Sequence, residues 1–267
     1  MQPLSKPLIT EPLLDAIGLI RSMMSDELFA FAYDRDEITY GLQPSAELAS
    51  YLEQVKPTGL AIDLGAGAGR NALALAKAGL LVRAVDRSAR GLERLNELAR
   101  SKKLEARIKT VCADLRDIQL AERSFAVIVA TTVLDHIPLA DAVQVWNRIE
   151  NALTRDGVIY AEVHTVEDPG CSDPPGCHSP YPISETASAV KHYFAAGELL
   201  RLATASASLR VLRYEERQEW DYTHGPEHHH GKAVLLAVPA GHYPRWYGHP
   251  LAFPRNSEGI PPRNQDE

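Results

Sequence analysis

The sequence predicts a doubly wound α/β fold, a mostly parallel sheet closed by an antiparallel pair of strands. Three patterns point to it. The short apolar run Leu60-Ala61-Ile62-Asp63-Leu64 passes through a glycine-rich turn, Gly65 to Gly69, into a segment whose apolar residues recur at helical spacing. Further apolar runs then alternate with helical stretches, the pattern of a parallel sheet. Finally, two apolar runs near the end of the chain have no helix between them and so must pair antiparallel.

In order along the chain, residues 1–56 are expected to form an N-terminal helical extension. Its last helix is expected over residues 45–55, entered through Pro44 and closed by Pro57-Thr58-Gly59. The extension reads either as a lid, with Tyr33 and Tyr40 as aromatic contacts to a substrate, or as a cover for one edge of the sheet. The main domain is expected over residues 57–240. Its second strand is Leu80 to Asp86, followed by a helix from Ser88, a suitable N-cap, to about Arg100. The third strand is Arg107 to Asp114, the fourth Phe125 to Ala130 and the fifth Gly157 to Val163, with a helix over residues 139–153. The antiparallel pair is Leu209 to Glu215 and Lys232 to Val238. Residues 241–267, rich in proline and polar groups, are expected to be irregular.

Length and composition bound the function. A chain of 267 residues buries a substantial core, and its net charge of −7 argues against nucleic acid or an anionic membrane surface as partner. There is no run of about 20 apolar residues that would span a bilayer. The first residues lack a charged-then-apolar signal pattern, so the expectation is a cytoplasmic protein, monomeric or homodimeric. Three cysteines are too few for a disulfide framework, and Cys112, on a strand, is expected to pack.

The glycine turn is built to hold a ligand. Gly65, Gly67 and Gly69 remove side chains that would keep a ligand off the backbone, and the helix from Arg70 aims free N–H groups at the same space. Asp86, at the end of the second strand, stands where an acid accepts ribose hydroxyls. Asp114, beside Leu115, stands where a carboxylate meets an adenine amino group. Asp63 would repel a phosphate but suits a cationic ligand. This set resembles the motifs of the class I S-adenosylmethionine-dependent methyltransferases, whose Rossmann-like, seven-stranded sheet also ends in an antiparallel pair. The resemblance implies S-adenosylmethionine as cofactor, held by Asp63, Gly65, Ala66, Gly67, Gly69, Arg70, Asp86, Arg87, Asp114, Leu115 and Thr131. A nicotinamide dinucleotide site is the alternative, but its third glycine would lie one residue further on.

Gly69-Arg70-Asn71-Ala72, Thr131-Thr132-Val133-Leu134-Asp135-His136, His192-Tyr193-Phe194 and Gly197-Glu198-Leu199 are similar to the tellurite-resistance branch of these enzymes. That similarity spans about residues 38–240 and implies a small, soft acceptor such as a tellurium, selenium or arsenic oxyanion, or a thiol. His136 and His224 are the candidate bases, and Asp135 a candidate substrate contact. A long loop after the fifth strand carries Cys171 and Cys177, and the final turn carries His228 and His230. These are candidate ligands for a metalloid substrate or a zinc ion, because thiolates and imidazoles bind soft and borderline metals and metalloids. The spacing Cys171-x5-Cys177 is not that of a zinc site, and no resident metal is assigned. The other reading is that these histidines only hydrogen-bond their loop. Two further functions stay open: a non-catalytic sensor of adenosylmethionine or a metalloid, and a protein or RNA methyltransferase, which the acidic charge disfavours.

Overall fold

The computed structural model describes residues 41–171, 180–223 and 225–244. The elements are α1 (Ala46–Val55), β1 (Leu60–Leu64), α2 (Arg70–Lys77), β2 (Leu81–Asp86), α3 (Ala89–Ser101), β3 (Ile108–Cys112), β4 (Phe125–Thr131), α4 (Leu139–Ala152), β5 (Leu153–His164), α5 (Glu198–Thr204), β6 (Leu209–Asp221) and β7 (His228–Pro239). One seven-stranded sheet has the order β3-β2-β1-β4-β5-β7-β6. β1 to β5 pair in parallel, and β7 runs antiparallel between β5 and β6.

The layers follow from strand alternation. Successive residues of a strand face opposite sides. Accordingly Ile62, Leu64, Ile128 and Ala130 pack with Trp146 and Ile149 of α4 and Leu199 of α5. Ala61, Val127 and Val129 pack on the other side with Leu48 and Tyr51 of α1, Leu75 of α2 and Leu95 of α3. β4 is buried along its whole length, as a central parallel strand covered on both faces must be. Ser88 caps α3, its hydroxyl accepting the N–H of Gly91 at 3.1 Å.

Three expectations need correction. β6 and β7 extend well beyond the predicted runs, so Asp221, His228, His229 and His230 are strand residues and the turn between them is short. Polar side chains along the outer strand β6 hid its length from a pattern based on apolar residues. A helix, α5, lies just before β6 and was not expected. Cys112, expected to pack, is exposed. The N-terminal extension before residue 41, with Tyr33 and Tyr40, lies outside the described residues, as do Cys177, His224 and the tail from 245.

α1 is tied to the sheet by more than apolar contact. Arg217 donates to Glu47 at 2.5 Å, and the Tyr160 hydroxyl donates to Glu162 while lying 3.1 Å from Glu47. Burial, together with these two acids, pushes the Tyr160 hydroxyl far above its ordinary range, so it stays a neutral donor. Among the described residues, no helix is long and apolar enough to cross a membrane.

Candidate active site

Where the carboxyl ends of the parallel strands splay, a cleft of about 460 Å³ opens over the glycine turn. Gly65, Gly67 and Gly69 all adopt positive φ, at 72°, 50° and 90°. A Cβ on Gly65 would lie 2.6 Å from Val133, and one on Gly69 would lie 2.2 Å from Leu95. Gly69→Ala combines that clash with an unfavourable dihedral. We expect it to cost about 2–4 kcal/mol, read as a lower urea midpoint at unchanged m-value.

Two of the three predicted acids stand at the turn. Both Asp86 oxygens are engaged at 2.7 Å, one by the N–H of Gly67 and the other by the N–H of Ser88. The carboxylate thereby clamps the tip of the turn to β2, and each oxygen keeps acceptor capacity for a hydroxyl. Asp63 is 2% exposed, and its Oδ2 has no hydrogen-bond partner. Desolvation pushes its pKa up to about 7, against the downward pull of the Ala72 N–H and Arg70. Asp114 differs. Arg116 grips it through two donors, at 2.7 and 3.0 Å, and this pairing holds its carboxyl below the usual range. It lines the cleft as half of an ion pair rather than as a free acceptor. Nothing in the spacing of these residues foretold Arg116.

The far end of the cleft is built from residues distant in sequence. Asp135 is fully buried, and its Oδ2 accepts from both the backbone N–H and Nδ1 of His164, at 2.9 and 2.5 Å. Burial alone would raise the Asp135 carboxyl, but His136 and His164 outweigh it and hold it at about 2. Asp135 therefore holds His164 in place and is not itself in the cleft lining. His136 also lines the cleft. It is hydrogen-bonded to the backbone of Ala189, and burial lowers its pKa, so the ring stays neutral.

A second acid–imidazole pair stands beside the first. Nδ1 of His230 donates to Asp168 at 2.9 Å, and the His164 and His230 rings are 4.8 Å apart. The antiparallel strand brings them together: β7 begins where β5 ends, with His164 opposite Lys232, so His230 reaches the carboxyl edge. His164, Asp168 and Lys232 were not singled out from the sequence. His164 ends a strand, where a polar residue has no periodicity to mark it.

Of the predicted site residues, Asp63, Gly65, Ala66, Gly67, Gly69, Arg70, Asp86, Arg87, Asp114, Leu115, Thr131, His136 and His230 line the cleft. Asn71, also in the lining, joins the turn to β4 by donating to Thr131 at 3.0 Å. His228 lies behind His230, 2% exposed. Cys171 is outside the lining, its N–H bonded to the carbonyl of Asp168.

The strand order and the glycine-turn cleft are those of a methyltransferase-like fold. Residues 61–157, from β1 into β5, match the family model described as methyltransferase domain. No curated protein matches the chain in sequence. Among solved structures, TehB from Haemophilus influenzae superposes with a TM-score of 0.58 at 19% identity, covering 80% of this chain and 67% of that one. A 1,6-didemethyltoxoflavin-N1-methyltransferase from Burkholderia thailandensis, with 1,6-didemethyltoxoflavin and S-adenosylhomocysteine bound, gives 0.56 at 19% identity and covers 89% and 93%. The [4+2]-cyclase SpnF gives 0.56 at 15% identity and covers 83% and 96%. At such identities the likeness is one of fold, and the cyclase is a reminder that this fold does not by itself dictate a reaction.

Proposed function

We propose that this chain transfers a methyl group from S-adenosylmethionine to a small, soft nucleophile: a tellurium, selenium or arsenic oxyanion, or a thiol. The observation that carries the reading is Asp63, a buried carboxylate with an unpartnered oxygen at the glycine turn. Such an acid fits a cationic amino group and opposes a phosphate. Asp86 stands ready for ribose hydroxyls, and the match of residues 61–157 to a methyltransferase domain favours the same cofactor. The similarity to TehB and to the tellurite-resistance motifs supports a soft acceptor.

S-adenosylmethionine, when bound, supplies a methyl group made electrophilic by its positive sulfur. The chain's own residues do the rest. The turn and Asp86 hold the nucleoside, Asp63 neutralises the amino group, and the cleft walls align the acceptor for an in-line displacement. His164 serves acceptors that reach the cleft still protonated. Its Nδ1–H is committed to Asp135, which leaves Nε2 as the basic nitrogen to take the acceptor proton. His136 is the weaker candidate for this role, since it is His164 that the carboxylate grips.

Calorimetry with S-adenosylhomocysteine against NAD tests the cofactor, and binding of NAD alone would overturn the reading. A screen of tellurite, selenite, arsenite and thiols, scored by S-adenosylhomocysteine formed and by volatile methylated product, tests the acceptor. Tight binding with no product from any of them would turn the reading into that of a sensor.

A further inference from the structure

We propose that His228, His230 and Asp221 form a binding site for a divalent transition-metal ion of the zinc type, in the wall of the cleft. Residues two apart on a strand share a face, so His228 and His230 stand side by side, while His229 turns the other way and stacks on Tyr181. The two Nε2 atoms are 3.0 Å apart, and His230 Nε2 is 3.9 Å from Asp221 Oδ2. Zinc binds imidazole nitrogen at about 2.0–2.1 Å, which sets two ligands about 2.9 Å apart at a right angle and about 3.4 Å apart at the tetrahedral angle. The imidazole pair falls within that range. Measured from His230, the carboxylate is about 0.5 Å beyond it, and the three ligand atoms all lie within 4.8 Å of one another.

The second argument is which nitrogen carries the proton. Nδ1 of His228 faces the carbonyl of Pro226 at 2.8 Å, and a carbonyl only accepts, so Nδ1 is N–H. Nδ1 of His230 faces Asp168, whose Oδ1 accepts from the Gly170 N–H and whose Oδ2 accepts from the Gly231 N–H. With Nδ1 protonated, the neutral form of each ring turns its Nε2 lone pair toward the other, an arrangement that a shared cation resolves. Imidazoles whose outer N–H is given to a carboxylate or carbonyl are the usual form of metal-bound histidine. Asp221 fits the same pattern. Its Oδ1 accepts from the N–H and hydroxyl of Thr223, and it is Oδ2 that is directed at His230. Proton sharing between the rings is the competing explanation, and a titration with zinc separates the two. The nearby ammonium of Lys232 is neutralised by Glu219 at 2.6 Å. His230 and Asp221 both line the cleft, so an ion there is open to an anionic acceptor.

The test uses the full chain, without a histidine tag, stripped with a chelator and titrated with zinc against a chromophoric competitor. One equivalent is expected to bind. His228→Gln/His230→Gln should weaken it at least about 100-fold and Asp168→Asn about 10- to 100-fold, while Cys171→Ser/Cys177→Ser leaves it unchanged. Cobalt in place of zinc should show ligand-field bands without thiolate charge transfer. No zinc bound to the wild type, affinity within threefold in the double histidine variant, or loss in the cysteine variant would each overturn the proposal. S-adenosylhomocysteine affinity, measured on every variant, reports folding. It also separates the two readings, because zinc binding without affinity for that nucleoside leaves the metal site standing and removes the methyl-transfer function.

Discussion

Replacing His164 by asparagine is expected to lower kcat about 10²- to 10⁴-fold for an acceptor that must lose a proton, such as a thiol held below its pKa. For an acceptor that is already anionic the loss should be under about tenfold. The split follows from geometry: the ring lines the cleft, its Nδ1 is held by a fully buried carboxylate, and its remaining nitrogen is the one that can take a proton. Asp135→Asn should reproduce most of the split, because an amide no longer favours the imidazolium that forms on proton transfer. It should also flatten the acid limb of stability. The Asp135 pKa is depressed from 3.8 to about 2, so its stabilisation is fully present above 3.8 and lost as pH falls through 2. The measurement is steady-state turnover with acceptors of graded pKa, alongside calorimetry for the cofactor. Equal losses for protonated and anionic acceptors would remove His164 from proton transfer.

Asp63→Asn is expected to weaken binding of S-adenosylmethionine and its demethylated product by about 10- to 100-fold, while making the ligand-free protein more stable above neutral pH. Both effects come from one orphaned oxygen. The folded-state pKa of about 7 exceeds the ordinary 3.8, so the native state binds more protons than the unfolded chain between those values. Stability therefore falls as pH rises from 3.8 to 7, by about 4 kcal/mol if the shift is fully expressed. The amide lacks this penalty. Urea denaturation of both proteins at pH 5 and pH 8 checks it, with the variant gaining more at pH 8 than at pH 5. A cationic amino group beside Asp63 restores the charged form, so the donor should stabilise the wild type more at pH 8 than it stabilises the variant. Unchanged nucleoside affinity in the variant would remove Asp63 from the site.

Much of this protein is local and therefore legible along the chain. Apolar runs at strand spacing, Ser88 at a helix start and a turn with three glycines at positive φ are matters of neighbouring residues, and they define β1 to β5, the class of fold and the glycine-turn end of the cleft. The opposite end is not local. His164, Asp168, Asp221 and His230 meet because β7 is laid antiparallel between β5 and β6, which brings the ends of two strands and the start of a third to one edge. Whether a given acid stays available is equally a tertiary matter: Arg116 occupies Asp114, while burial leaves one oxygen of Asp63 without a partner. Backbone conformation and apolar spacing are decided within a few residues of chain, whereas desolvation and the convergence of charged side chains exist only once the sheet has closed.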